Sequence, residues 1–201
     1  VGKGRVEAFS DGVFAVAITI LVLDLKEPAP GHGSVAHQLG QQWPHYVAYV
    51  VSFAVIGIIW VNHHTLFAKL ARVDRTMLFL NLVLLLFVVL IPFPTAVVAE
   101  YIRHNTWDAR VAMVFYSLVM EGMGLAFTGI YVWAGRHREL LHPAVDAGRH
   151  QSAFRQFGLG SVAYLVLAVV AVAQAQVALA GHFALACFYV FDRTAASEVV
   201  E

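Results

Sequence analysis

Polar and apolar positions along this chain fall into long blocks rather than short alternations. A helix needs about 20 mostly apolar residues to cross roughly 30 Å of hydrocarbon at 1.5 Å per residue, so the uncharged runs define the elements. The first predicted span covers 6–25: Val13 to Leu23 is apolar except for Thr19, and Arg5, Glu7 and Asp11 lie near its polar start. The second covers 46–67 and is uncharged from Tyr46 to Val61, before Asn62, His63 and His64. The third, 76–99, has no charge from Thr76 to Ala99, and Pro92 and Pro94 predict a kink or an end within it. The fourth, 109–134, carries Glu121 as its one charged residue between Val111 and Ala134, beside Gly122 and Gly124. From Gln156 to Phe191 no formally charged residue occurs, which is too long for one straight helix. Two spans, 154–174 and a short 177–192, are expected there, reversing near Gln174, Gln176 and Gly181.

Between these runs, 26–45 contains Pro28, Pro30, Gly31, Gly33 and Gly40, and 135–153 contains basic and histidine clusters around Pro143. Both read as loops with room for short interfacial helices. Lys3 and Arg5 before an apolar run imitate a signal peptide. Glu7, Asp11 and the lack of a small-residue cleavage site argue instead for a structural helix. The expectation is an all-α, polytopic membrane protein, one domain over 1–201 with six transmembrane helices.

Lysine and arginine give the orientation, because cytoplasmic connections carry their excess. Lys3, Arg5, Lys69, Arg72, Arg75, Arg136, Arg138, Arg149, Arg155 and Arg193 fall on one side, and Lys26, Arg103 and Arg110 on the other. An even number of spans with both termini cytoplasmic accounts for this asymmetry; five spans would strand Arg193 outside.

Composition agrees with the pattern. Hydrophobic residues make up 60% of the chain and charged residues 13%, well below the roughly 25% of soluble domains, and mean hydropathy is +0.71. A net charge of zero supplies no field for gathering nucleic acid. Cys187, the single cysteine, excludes an intrachain disulfide, and no Cys/His spacing of a zinc site occurs.

Ionisable groups inside spans cost about 2.5–3.5 kcal/mol each at a helix centre on insertion scales, which marks Asp11, His63, His64 and Glu121 as candidates. On a helical wheel Ile20 and Leu23 fall within about 40° of Val16 and Thr19 about 60° from it, whereas Ser10 and Asp11 lie roughly 120° and 140° away. The apolar stripe suits a lipid contact, a packing seam or a hydrophobic constriction, and periodicity does not choose among them.

The segment Arg5-Val-Glu-Ala-Phe9-Ser10-Asp11 resembles the RxxxFSD signature that opens the first helix of the transmembrane-protein-175 family of endolysosomal potassium channels and their prokaryotic relatives. The resemblance continues through Trp60-Val-Asn62-His63-His64-Thr-Leu-Phe67 and Leu80-Asn81-Leu to Pro92-Phe-Pro94-Thr95, about the first hundred residues. It implies a six-helix subunit of a prokaryotic plasma-membrane homotetramer, passing potassium ions through a central pore lined by the first helices. No TVGYG filter is present, in keeping with that family. Its pore constriction maps onto Val16, Ile20 and Leu23, with Thr19 as a polar supplement. Val16 is smaller than the Ile or Leu common there and leaves a wider ring. Arg5, Phe9, Ser10 and Asp11 are expected to anchor the pore helix through Trp60, His63 or His64, and Asn81, since a buried carboxylate needs donors. Which histidine faces inward stays open. No cofactor or structural metal site is implied, and the partners are potassium ions, the lipid bilayer and further copies of the chain.

Three other readings compete. His137-x-Glu139-x-x-His142 imitates a zinc-protease helix, but the motif needs histidines four apart with glutamate next to the first. A proton-coupled secondary transporter would use Asp11, His63 or His64, and Glu121, with a broken helix at Gly122 and Gly124. A packing role alone would suit Gly57, Gly122 and Gly124. Trp43, Trp60, Trp107 and Trp133 read as interface or packing groups rather than a ligand cage.

Overall fold

A computed structural model describes residues 2–143, 145 and 147–191, with side chains placed over the same residues except 147–159 and 189–191. Arg193 of the charge count and the end of the sixth expected span at 192 lie outside the described residues, and Arg149 and Arg155 are described by their backbone alone. Eight α-helices occur among the described residues, with no strand beyond an isolated antiparallel bridge between Leu70 and Leu141.

Helix α1 spans Lys3–Ile20 and tightens into a 3-10 turn at Leu21–Asp24. The following loop uses Gly31 and Gly33 at φ +84° and +93°, conformations that glycine alone adopts cheaply. It leads to α2, Val35–Gln41, where Ser34 caps the first turn by accepting from the His37 amide. Helix α3, Trp43–Ala68, begins with Pro44 where a missing N–H costs nothing. Asp74 caps α4, Arg75–Leu90, accepting from the Met77 amide at 2.7 Å.

Pro92 and Pro94 break the third apolar run at Ile91, giving α4 and then α5, Pro92–Tyr101, because each proline removes a backbone donor. Thr95 donates its hydroxyl to the Ile91 carbonyl at 2.8 Å, so it must accept from Ser52 at 2.7 Å, and Ser52 in turn accepts from the Tyr116 hydroxyl at 3.1 Å. One directed chain thus ties α3, α5 and α6 in the interior.

Helix α6, Trp107–Arg136, is the core element and packs against α4, α5, α7 and α8. Met113, Tyr116, Met120, Met123, Phe127 and Ile130 are buried along it at helical spacing. Helices α7, Ala147–Ala173, and α8, Ala175–Phe191, divide the long uncharged run at Gln174. Asn105 holds that break, donating to the Ala173 carbonyl at 3.0 Å and accepting from the Ala175 amide at 3.1 Å. The pair folds back on itself, with Leu167 against Gly181 and Tyr164 stacked on His182.

Four helical segments are long and apolar enough to cross a membrane: Lys3–Asp24, Trp43–Ala68, Arg75–Tyr101 and Trp107–Arg136. Gly160–Ala173 and Ala175–Phe188 are shorter apolar stretches. The 135–153 segment is less open than a loop. A 3-10 turn at Arg138–Leu140 pairs with the α3–α4 connection through Ala71 N–H to Leu140 O and His142 N–H to Lys69 O, and α7 begins at Ala147.

Two outcomes follow from these contacts. A Cβ at Gly122 would run into the Phe87 ring of α4, whereas one at Gly129 meets Leu80 at an ordinary 3.6 Å. Gly122→Ala should therefore cost about 1–3 kcal/mol in thermal melts of the purified protein and Gly129→Ala much less. The second concerns Asp74. Burial opposes its ionisation, but bonds from the Met77 amide and the Trp133 indole at 3.0 Å outweigh this and hold its carboxyl below the usual range. A depressed carboxyl stabilises the fold above its unfolded pKa of about 3.9 and loses that contribution as pH falls through the lower folded value. Asp74→Asn should flatten the acid limb of a melting-temperature profile below about pH 5.

Candidate functional site

Helix α1 presents two different faces. Val6, Ser10, Phe14, Ala17 and Leu21 are buried against α3 and α4, spaced by three or four residues as a single stripe. Over its apolar window 28% of α1 is buried, against 56% for α6, so α1 carries a broad face without a partner among the described residues. Val16, Thr19, Ile20 and Leu23 all lie on that face, and Leu23 at 76% exposure is its most open large residue. Thr19 donates its hydroxyl to the Ala15 carbonyl at 2.9 Å, with the Val16 carbonyl at 3.0 Å. Its proton is committed to the helix, which leaves the oxygen lone pairs as acceptors on the exposed side.

A buried polar link fastens the opposite face. Ser10 donates to the Val6 carbonyl at 2.9 Å and so must accept from the Asn81 amide nitrogen, also at 2.9 Å. That fixes the Asn81 amide oxygen toward His63 at 2.9 Å, and His63 is therefore the tautomer carrying hydrogen on Nε2. The His63 ring stacks on Phe67 at 4.2 Å and tilts against Phe14 at 5.4 Å. Ser10, His63 and Asn81 are each 2% exposed or less. Helices α1, α3 and α4 meet at this one point.

The other expected anchors sit elsewhere. Asp11 is exposed rather than buried, and accepts from the Trp60 indole at 2.9 Å. Ser10 occupies the centre of the buried stripe; one residue later, roughly 100° around the helix, Asp11 falls outside it. His63 is the inward histidine; His64 is exposed, 6.4 Å from the Trp60 ring. Arg5 and Phe9 do not join the link. Both are exposed, on the face that carries Val16, because four- and seven-residue steps return to the same side of a helix. Among the described residues the Arg5 side chain has no hydrogen-bond or ion-pair partner.

Glu121 is 5% exposed within α6, and its Oε2 finds no hydrogen-bond partner among the described residues. His137 stacks on Trp133 at 3.9 Å at the end of α6, and among the described residues no three His, Cys, Asp or Glu side chains cluster as metal ligands. The Tyr116–Ser52–Thr95 chain and buried His182 escaped the sequence reading; hydroxyls inside apolar runs carry no charge signal, although Ser52 and Thr95 could have been flagged as polar breaks.

The family described as "Endosomal/lysosomal potassium channel TMEM175" matches residues 5–92. A protein of Streptomyces collinus named as a potassium channel is 50% identical over 192 residues, covering 95% of this chain and 93% of its own length. The chain belongs to the TMEM175 family. Among solved structures, a TMEM175 homologue from Chamaesiphon minutus, titled a lysosomal potassium-selective channel, superposes with a TM-score of 0.84 at 34% identity, over 94% of this chain and 96% of that one. TMEM175 of Gallus gallus, named an endosomal/lysosomal proton channel, is 35% identical over 76% of this chain but only 32% of its own length. The TMEM175 match contains α3, α4 and nearly all of α1, hence every member of the Ser10–Asn81–His63 link.

Removing Asn81 strands the buried Nε2–H of His63. Asn81→Ala should cost about 1–3 kcal/mol in a thermal melt, and coupling to Ser10→Ala in a double-mutant cycle should be roughly 0.6–1.7 kcal/mol.

Proposed function

We propose that the chain is one subunit of a homotetrameric, potassium-permeable cation channel that conducts passively through a central pore. The observation that carries this reading is the two-faced α1: one stripe is pinned inside the subunit while Val16, Thr19, Ile20 and Leu23 project outward together. The bacterial relatives named as potassium channels, matched over nearly the full chain, support the ion.

Four α1 helices around an axis would stack rings of Val16, Ile20 and Leu23. Apolar rings resist ions by dewetting when narrow and pass them when they widen or when polar groups replace hydration. Thr19 oxygens supply such groups between the first two rings. The subunit would span the membrane six times as one domain over 1–201, through Lys3–Asp24, Trp43–Ala68, Arg75–Tyr101, Trp107–Arg136 and the α7–α8 hairpin, with both termini cytoplasmic in a prokaryotic plasma membrane. Ser10, Asn81 and His63 hold the pore helix, and Asp11 with Trp60 steadies its shoulder. Arg5, Phe9 and His64 are exposed in a single chain, Arg5 and Phe9 on the same side of α1 as Val16.

A proton-coupled transporter would need Asp11, a histidine and Glu121 to exchange protons. No hydrogen bond or ion pair joins them among the described residues: Asp11 is held by Trp60 and His63 by Asn81, and Glu121 lies on α6. The geometry weighs against that reading.

Potassium efflux from proteoliposomes, with sodium and proton gradients as controls, separates the two. Passive potassium flux that changes several-fold in Ile20→Ala and Leu23→Ala, and persists in Glu121→Gln, is expected. Flux that requires a proton gradient and disappears in Glu121→Gln while the α1 variants do nothing would replace the channel with a transporter.

A further inference from the structure

An apolar groove of about 580 Å³ runs between the first turns of α3 and of α8, with Ile102 of the α5–α6 connection in its lining. Trp43, Tyr46 and Val50 form one wall, and Leu179, Ala180 and Phe183 the other. The volume lies within the roughly 300–1,000 Å³ of small-molecule sites. Trp43, Val50 and Phe183 are 44%, 50% and 47% exposed, so the slot opens sideways from a helix apolar enough to cross a membrane. From Trp43 to Val50 it descends about 10 Å along α3. Its surroundings are hydrocarbon, and Trp43 and Tyr46 stand at its open end where aromatic residues mark the interface.

The same end carries a cation. Arg103 follows Ile102 directly, and the carbonyls of both accept from the Gln176 side-chain nitrogen at 3.0 and 2.8 Å, which fixes this rim to α8. The guanidinium donates to Gln41 Oε1 at 2.9 Å; Glu100, the carboxylate whose charge it feels, is itself bonded to Lys26 at 2.7 Å, so the cations outnumber it at this end. Arginine has further donors in a planar fork that matches phosphate oxygens.

We propose that this groove is a binding site for a phospholipid with an anionic headgroup, one acyl chain lying between Val50 and Phe183 and the phosphate against Arg103. The site depends on the helices lying in a bilayer and not on what passes along α1.

Native mass spectrometry of the purified full chain, titrated with phosphatidylglycerol and with phosphatidylcholine of identical chains, tests the proposal. Several-fold tighter binding of phosphatidylglycerol is expected, lost to parity in Arg103→Gln, with both lipids weakened in Ala180→Trp. Quenching by brominated phosphatidylglycerol provides a readout without altering the groove walls' fold: the Trp43 component of the fluorescence, defined by difference from Trp43→Phe, should be quenched. Equal affinity of the unsubstituted protein for the two headgroups overturns the proposal. So does a Trp43 component untouched by brominated lipid, the result expected if a neighbouring copy covers the groove.

Discussion

A single buried amide sets how the first helix sits. Asn81 donates to Ser10 of α1 and accepts from His63 of α3 while itself belonging to α4, so three helices share one rigid point. In apolar surroundings a stripe of Val6, Phe14, Ala17 and Leu21 gains little by choosing one register over another, because lipid offers comparable contacts. Hydrogen-bond partners are discrete, and sliding α1 by one turn would break the Ser10–Asn81 bond and leave a buried Asn81 donor without its mate. Polar pairing therefore supplies what dispersion cannot, a defined height and rotation for the outward face.

That one-sided fastening explains the unequal burial along the chain. Helix α1 spends its polar anchors and a narrow stripe on the subunit interior and keeps Val16, Thr19, Ile20 and Leu23 clear of it. The opposite strategy operates in α6, which is packed on most sides and joined to α3 and α5 by the directed chain from Tyr116 through Ser52 to Thr95. A stable α4–α5–α6 body is what allows α1 to be attached lightly. Asn105 has a comparable role at the other end, turning α7 into α8 with two bonds where no glycine or proline stands at the break.

Much of this was legible in the residues because crossing hydrocarbon imposes a coarse rule. Long uncharged runs must be helical, prolines at 92 and 94 must interrupt the third, and a run from Gln156 to Phe191 must turn somewhere. Polar Gln174 and Gln176 and Gly181 narrow the place of the turn, but not what holds it, which is Asn105 from the α5–α6 connection. Nor could the charge pattern separate Ser10 from Asp11 or His63 from His64. Adjacent residues lie about 100° apart on a helix, and either member of each pair offers suitable chemistry, so the choice belongs to the helices that pack alongside.

Family membership and the apolar stripe of α1 follow from the sequence alone, since motif residues and helical periodicity are local properties; that the stripe faces outward is decided by the packing of the other face. Tertiary structure decided which polar groups are buried, placing Ser10 and His63 inside, Asp11 on Trp60, and Arg5 and Phe9 on the open face. It also brought Arg103 to the rim of a groove between helices more than a hundred residues apart in the chain. Burial is a property of what surrounds a side chain, and those surroundings are assembled by contacts that no run of consecutive residues encodes.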